Sequence, residues 1–121
     1  MSEFLTISNT NELVRFVAGN IVYIASDGNY SDIFTCDEEK RTVTIQLGMI
    51  EEIMTMQLEK ENNFMRIGKS LIVNLLYVSY INPAKRKIIL SDNRTFKFNL
   101  EASNDALKKL KDYFDKKIKQ K

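Results

Sequence analysis

Hydrophobic and polar positions along the chain alternate in short blocks, and most blocks have strand length. Residues 4–8 predict a first short strand, and the cluster Asn9, Thr10 and Asn11 a turn. Residues 13–17 predict a second strand, ended by Gly19 and Asn20. The run Ile21, Val22, Tyr23, Ile24 and Ala25 is continuously apolar. A run of that length reads as a strand covered on both faces. Residues 26–29 form a loop, because Gly28 and Asn29 tolerate positive φ. A strand returns over 30–36, and 37–40 is a charged turn. Residues 41–47 alternate, with Val43, Ile45 and Leu47 facing one way, and predict a half-buried strand.

The period then changes. Ile50, Ile53, Met54 and Leu58 share one helical stripe and predict a helix over 49–58. Glu51 and Glu52 are expected near its N-terminus, where the helix dipole favours them. Met49, Met54 and Met56 read as core and rim filler. In the stretch 63–81, Phe64 and Arg66 face one side of a strand, Met65 and Ile67 the other. A break at Gly68, Lys69 and Ser70 precedes the apolar segment 71–74. Asn74 stands beside buried valine, so its amide reads as structural and must find partners. Asn82, Pro83 and Ala84 interrupt the sheet. Residues 85–90 and 95–100 predict a hairpin around 91–94. A last helix starts at about Leu100 or Ser103 and ends near Ile118, with Leu107, Leu110, Phe114 and Ile118 as its stripe. Asn99 or Ser103 would cap it, and residues 119–121 read as a frayed tail. The fold class is mainly β, with one short internal helix and a C-terminal helix.

Composition narrows the function. At 121 residues and 44% apolar content the chain reads as one domain with a real core. It has no apolar run of about 18 residues that would span a membrane. The first ten residues lack a basic and apolar leader pattern, so a cytoplasmic home is expected. The single cysteine, Cys36, excludes an internal disulfide and reads as a small core or half-buried residue. There is no histidine, which removes histidine bases, Ser-His-Asp triads and His-ligated metals. No catalytic residue, cofactor or metal site is therefore expected. Residues 108–121 hold seven lysines against Asp112 and Asp115, and the other 107 residues carry 11 basic and 14 acidic groups. A basic terminus of this kind most simply makes a solvated face, and otherwise adds phosphate attraction.

Several segments together resemble the LytTR family of bacterial DNA-binding domains. They are IVYIASDGNYSDIF (21–34), LGMIEEIM (47–54), FMRIGKSLIVNLLYVSYI (64–81) and KRKIILSDNRTFKF (85–98) followed by a helix. The resemblance covers about residues 4–114. It implies an elongated fold of stacked antiparallel sheets that binds duplex DNA through loops, as the output half of a response regulator. It implies repeated half-sites and two copies of the chain on DNA, as a homodimer. This sequence holds no receiver segment, and under a protein-interaction reading a receiver-containing protein is the expected partner.

Mapped onto this chain, the first DNA-facing loop is 27–31, with Asn29, Tyr30 and Ser31. The second is 66–70, with Arg66, Lys69 and Ser70. The third lies near 99–101, with Asn99. Two positions depart from the family pattern. Gly68 stands where a histidine is frequent, and Leu100 and Glu101 stand where an arginine would reach a base. Leucine makes no bidentate base contact, and a carboxylate repels phosphate. These departures keep a second reading open, a protein-interaction module with this fold and little specific DNA binding. Individual residues also carry two readings. Tyr30 touches DNA or covers a strand end. Arg66 contacts phosphate or pairs with a carboxylate such as Glu61. Lys85, Arg86 and Lys87 read at least as readily as a solvated hairpin edge as a DNA contact. Lys69 is the strongest single choice for DNA.

Overall fold

Burial on both sides of one strand organises the molecule. The computed structural model describes residues 3–60 and 62–119. Strands β1 (Phe4–Ser8) and β2 (Leu13–Val17) form a two-stranded sheet. A central antiparallel sheet contains β3 (Ile21–Asp27), β4 (Tyr30–Thr35), β5 (Lys40–Val43), β6 (Phe64–Ile67) and β7 (Leu71–Asn74), in the order β5-β4-β3-β7-β6. A third sheet holds β8 (Val78–Asn82), β9 (Lys87–Ser91) and β10 (Lys97–Glu101) in the order β10-β9-β8. Helix α1 (Leu47–Gln57) lies between β5 and β6 in sequence, and α2 (Asn104–Lys119) follows β10. The fold is mainly β with stacked antiparallel sheets, as the sequence pattern and the resemblance imply.

The central sheet separates two cores. On one face Ile24, Ile33, Val43 and Ile72 meet Leu5 and Ile7 of β1 and Ile50 and Met54 of α1. On the other, Tyr23, Ile67 and Val73 meet Ile88 and Leu90 of β9 and Leu107 and Leu110 of α2. The apolar run of β3 serves both. Ile21 and Ile24 enter the first core and Val22 and Tyr23 the second, a phase slip made by a bulge between Ile21 and Tyr23. The alternation read at 64–67 also holds, with Phe64 against the first core and Met65 and Ile67 in the second.

Asn74 is buried, and both polar atoms of its side chain have partners. Its Nδ2 donates to the Ile21 carbonyl at 2.8 Å, and its Oδ1 accepts from the Leu76 amide at 3.0 Å. The side chain thus ties β7 to β3 and starts the short 3₁₀ turn over Leu75–Tyr77. Asn74→Ala would leave a buried carbonyl and an amide without these partners. It should lower unfolding free energy by about 1–3 kcal/mol, read as a reduced urea midpoint.

Several expectations are corrected. The strand expected over 41–47 stops at Val43, because its partner β4 begins at Tyr30 and Val43 already pairs with Ser31. Beyond that point almost no partner strand remains. Ile45 lies in a bend and Leu47 opens α1 instead. Since α1 starts at Leu47, Glu51 and Glu52 fall outside its first turn, which holds no acidic residue. Of the three methionines, only Met54 is buried; Met49 and Met56 are exposed. Lys85 and Arg86 lie in a turn rather than a strand. The loop after β9 is wound on Asp92, whose carboxylate accepts from the Thr95 hydroxyl and from the amides of Arg94, Thr95 and Phe96. These donors, the Thr95 hydroxyl first, hold Asp92 well below the usual carboxylate range. Ser103, not Asn99, caps α2, accepting from the Ala106 amide at 3.1 Å. Ile118 continues the stripe in sequence but is 66% exposed, past the end of the core. Of the three tail residues expected to fray, Lys119 is the last residue of α2, and Gln120 and Lys121 lie outside the described residues.

Cys36 is half-buried, as its small apolar character suggests. Its thiol lies 3.4 Å from the Tyr77 hydroxyl, which donates to the Gly19 carbonyl at 2.7 Å. Burial first, then the Cys36 contact, pushes the Tyr77 phenol up to about 12.

Candidate nucleic-acid interface

Two chain reversals sit next to each other at one end of the central sheet. The first joins β3 to β4 through Gly28 and Asn29 alone, with Asp27 opposite Tyr30. Gly28 has φ +64°, which a two-residue hairpin turn demands at its first central position. The second joins β6 to β7 through Gly68, Lys69 and Ser70, with Ile67 opposite Leu71. Gly68 also has a left-handed φ, +62°. Because β3 and β7 are neighbours, the two tips are locked together. Ala25 pairs with Leu71, and the Ser26 amide donates to the Ser70 carbonyl at 2.9 Å.

Arg66 stiffens this end from behind. Its guanidinium donates to the Lys69 carbonyl at 3.0 Å and to the Glu51 carboxylate at 3.3 Å. Glu61, the carboxylate expected to pair with it, lies outside the described residues. Gly48 lies beside the guanidinium; a Cβ there would stand 3.4 Å from Nη1, an ordinary contact. Arg66 therefore braces the 66–70 turn and ties it to α1. Asn29 is held similarly, its Oδ1 accepting from Gln46 Nε2 at 3.1 Å. Tyr30 is 46% exposed at the hairpin tip. Lys69 and Ser70 are exposed, and among the described residues their side chains have no hydrogen-bond or ion-pair partner.

Two of the expected site residues sit elsewhere. Ser31 is fully buried, and its hydroxyl donates to the Ile45 carbonyl at 2.8 Å. It fastens the start of β4 to the bend before α1 and offers nothing to a ligand. Asn99 is exposed in mid-strand on β10, opposite Ile89. Its neighbours Phe98 and Leu100 turn inward to the second core, so Asn99 faces outward. What meets the 68–70 turn is the next segment, residues 100–103. The two segments border a cleft of about 410 Å³ floored by Tyr23, Phe34 and Ala106. Gly68 lies against Ala106 in the first turn of α2, its ideal Cβ 3.6 Å from the Ala106 Cβ. Three segments thus form one rim: residues 27–30, 66–70 and 100–103. Sequence reasoning missed two supporting residues, Gln46 and Glu51. Only the polar character of their positions could have signalled them.

The rim can act through hydrogen bonding and charge. Lys69 offers a free ammonium, Ser70 a hydroxyl, Asn29 an amide and Tyr30 a half-wet ring. Among the described residues no group of His, Cys, Asp or Glu is arranged to hold a metal ion. No helix among them is long and apolar enough to cross a membrane.

A fold of stacked sheets presenting loops at one end defines the class, and comparison with known proteins defines the family. The family described as the LytTr DNA-binding domain matches residues 11–115. The chain belongs to the LytTR family. Among solved structures it is similar to the LytTr DNA-binding domain of a protein from Bacillus cereus, described as a methyl-accepting/DNA response regulator. That likeness has a TM-score of 0.60 at 18% identity and covers 93% of this chain and 96% of the other. No curated protein sequence matches the chain.

Proposed function

We propose that the chain is a DNA-binding transcription regulator of the cytoplasm that grips duplex DNA with its 27–30 and 66–70 tips. The observation that carries this is the locked pair of tips, joined by the Ser26–Ser70 bond, with the Lys69 and Ser70 side chains left free. Such a rigid, projecting edge suits docking against a duplex without a recognition helix. Lys69 and Ser70 bond phosphate, while Asn29 and Tyr30 reach base edges or sugar. Arg66 acts as a positioning residue, since its guanidinium is committed to Glu51 and the Lys69 carbonyl. Each chain reads one half of a repeated site, two copies occupying the full site, and a receiver-containing protein supplies the input.

A protein-interaction role is favoured by one observation, the exposed acidic Glu101 on the third rim segment. A fluorescence-anisotropy titration against a pool of random duplexes, with sequencing of the bound fraction, separates the two. Enrichment of one repeated motif is the expected result. Absence of binding at low salt would transfer the rim to a protein partner.

A further inference from the structure

We infer that the β8–β9 turn, with Lys85, Arg86 and Lys87, is a phosphate anchor for duplex DNA that adds to the charge of Lys69 on the same rim. The inference rests on the reading of the rim as a DNA interface. Its first support is position. The Ala102 amide donates to the Arg86 carbonyl at 3.2 Å, and Asn104 Nδ2 donates to the Pro83 carbonyl at 2.9 Å. The turn is therefore bonded to the β10–α2 junction, and that junction shares a cleft with the 68–70 turn. A hairpin distant in sequence from both tips thus ends on the same rim.

The second support is rigidity. The Arg86 amide donates back to the Pro83 carbonyl at 3.1 Å, and the Lys85 amide to Asn82 Oδ1 at 3.1 Å. With both bonds inside the turn and two to its neighbours, the backbone is fixed before any ligand arrives. Lys85, Arg86 and Lys87 are all exposed, and none has an ion-pair partner among the described residues.

The third support is the sign of the charge. Arg66 is neutralised by Glu51. Without the β8–β9 turn, Lys69, with Lys108 and Lys109 about one turn into α2, only offsets the exposed carboxylates of Asp27, Glu101 and Asp105, with Asp32 just behind and bonded to Thr42. That balance gives little net attraction for a polyanion. The three cations of the turn make it positive. The later lysines of α2 add little here, because Lys117 lies ~20 Å along the helix from the capped end that meets the rim.

The test compares salt slopes of duplex binding for the full chain, Lys69→Ala and the triple variant Lys85→Gln/Arg86→Asn/Lys87→Gln. Asparagine is chosen at 86 because Arg86 has φ +58°, a conformation asparagine tolerates. Each phosphate-bound cation carries a slope of roughly one. The triple variant should lose about three units of slope and bind on the order of tenfold or more weakly at low salt, with its unfolding midpoint unchanged. Lys85→Arg/Lys87→Arg should keep the full slope. If the triple variant does not fold, Lys85→Gln/Lys87→Gln gives the same reading, with an expected loss of about two units. An unchanged slope in the charge-removal variants, with a reduced slope in Lys69→Ala, overturns the anchor and leaves the rim reading standing. No binding by the unmodified chain overturns both.

Discussion

Ile24→Ala should lower the unfolding free energy by about 2–5 kcal/mol. Ile24 is fully buried at the middle of β3, the central strand of the five-stranded sheet. Its paired neighbours Ile33 on β4 and Ile72 on β7 are equally enclosed. Ile50 of α1 and Leu5 of β1 close the same core from the opposite side. A site walled by two hydrogen-bonded strands, a helix and a second sheet has little freedom to collapse, so the removed volume remains as a cavity. The loss should therefore fall at the upper part of that range. It should appear as a lower urea midpoint with an unchanged dependence on denaturant. A change below about 1 kcal/mol would mean that the two cores repack independently of β3.

Lys69→Ala should weaken duplex binding and flatten its salt dependence by about one unit of slope, with stability unchanged. The ammonium is exposed and has no partner among the described residues, so its removal costs the fold nothing. The turn itself is held through the backbone, by Gly68 at positive φ and by Arg66 on the Lys69 carbonyl, which alanine keeps. With three or four phosphate contacts, binding by the unmodified chain should weaken on the order of 10- to 100-fold between low and physiological salt. Salt-insensitive binding would contradict an interface built on these cations. Unchanged binding by Lys69→Ala would remove that residue from the contact set.

Much of this fold is written in local patterns, and what is not depends on distant pairing. The double burial of β3 follows from an unbroken apolar run, and the role of Asn74 from a lone amide among valines. The end of β5 at Val43 was not legible, since it is fixed by where β4 begins rather than by the alternation of 43, 45 and 47. Ser31 reads as one more polar residue of a loop, yet its hydroxyl is bonded inside to Ile45. Ile118 keeps helical period with Leu107, Leu110 and Phe114, but no element among the described residues covers it. At the rim, the two tips with Lys69 and Ser70 were legible as polar turns between buried strands. Their mutual lock and the brace from Glu51 were not, because residues 26 and 70, or 51 and 66, meet only through tertiary packing. The same holds for the β8–β9 turn, which reaches the rim through the Arg86–Ala102 bond.

The proposed function requires that one end of the molecule meets duplex DNA. The most direct measurement is the change in backbone amide NMR shifts as a short duplex is added to the full chain. Shifts concentrated at 27–30, 66–70 and the neighbouring 100–103 segment, with little change at the opposite end around 37–40 and 92–96, are the predicted result. Shifts centred on that opposite end, or on the lysines late in α2, would rule out the rim as the DNA interface.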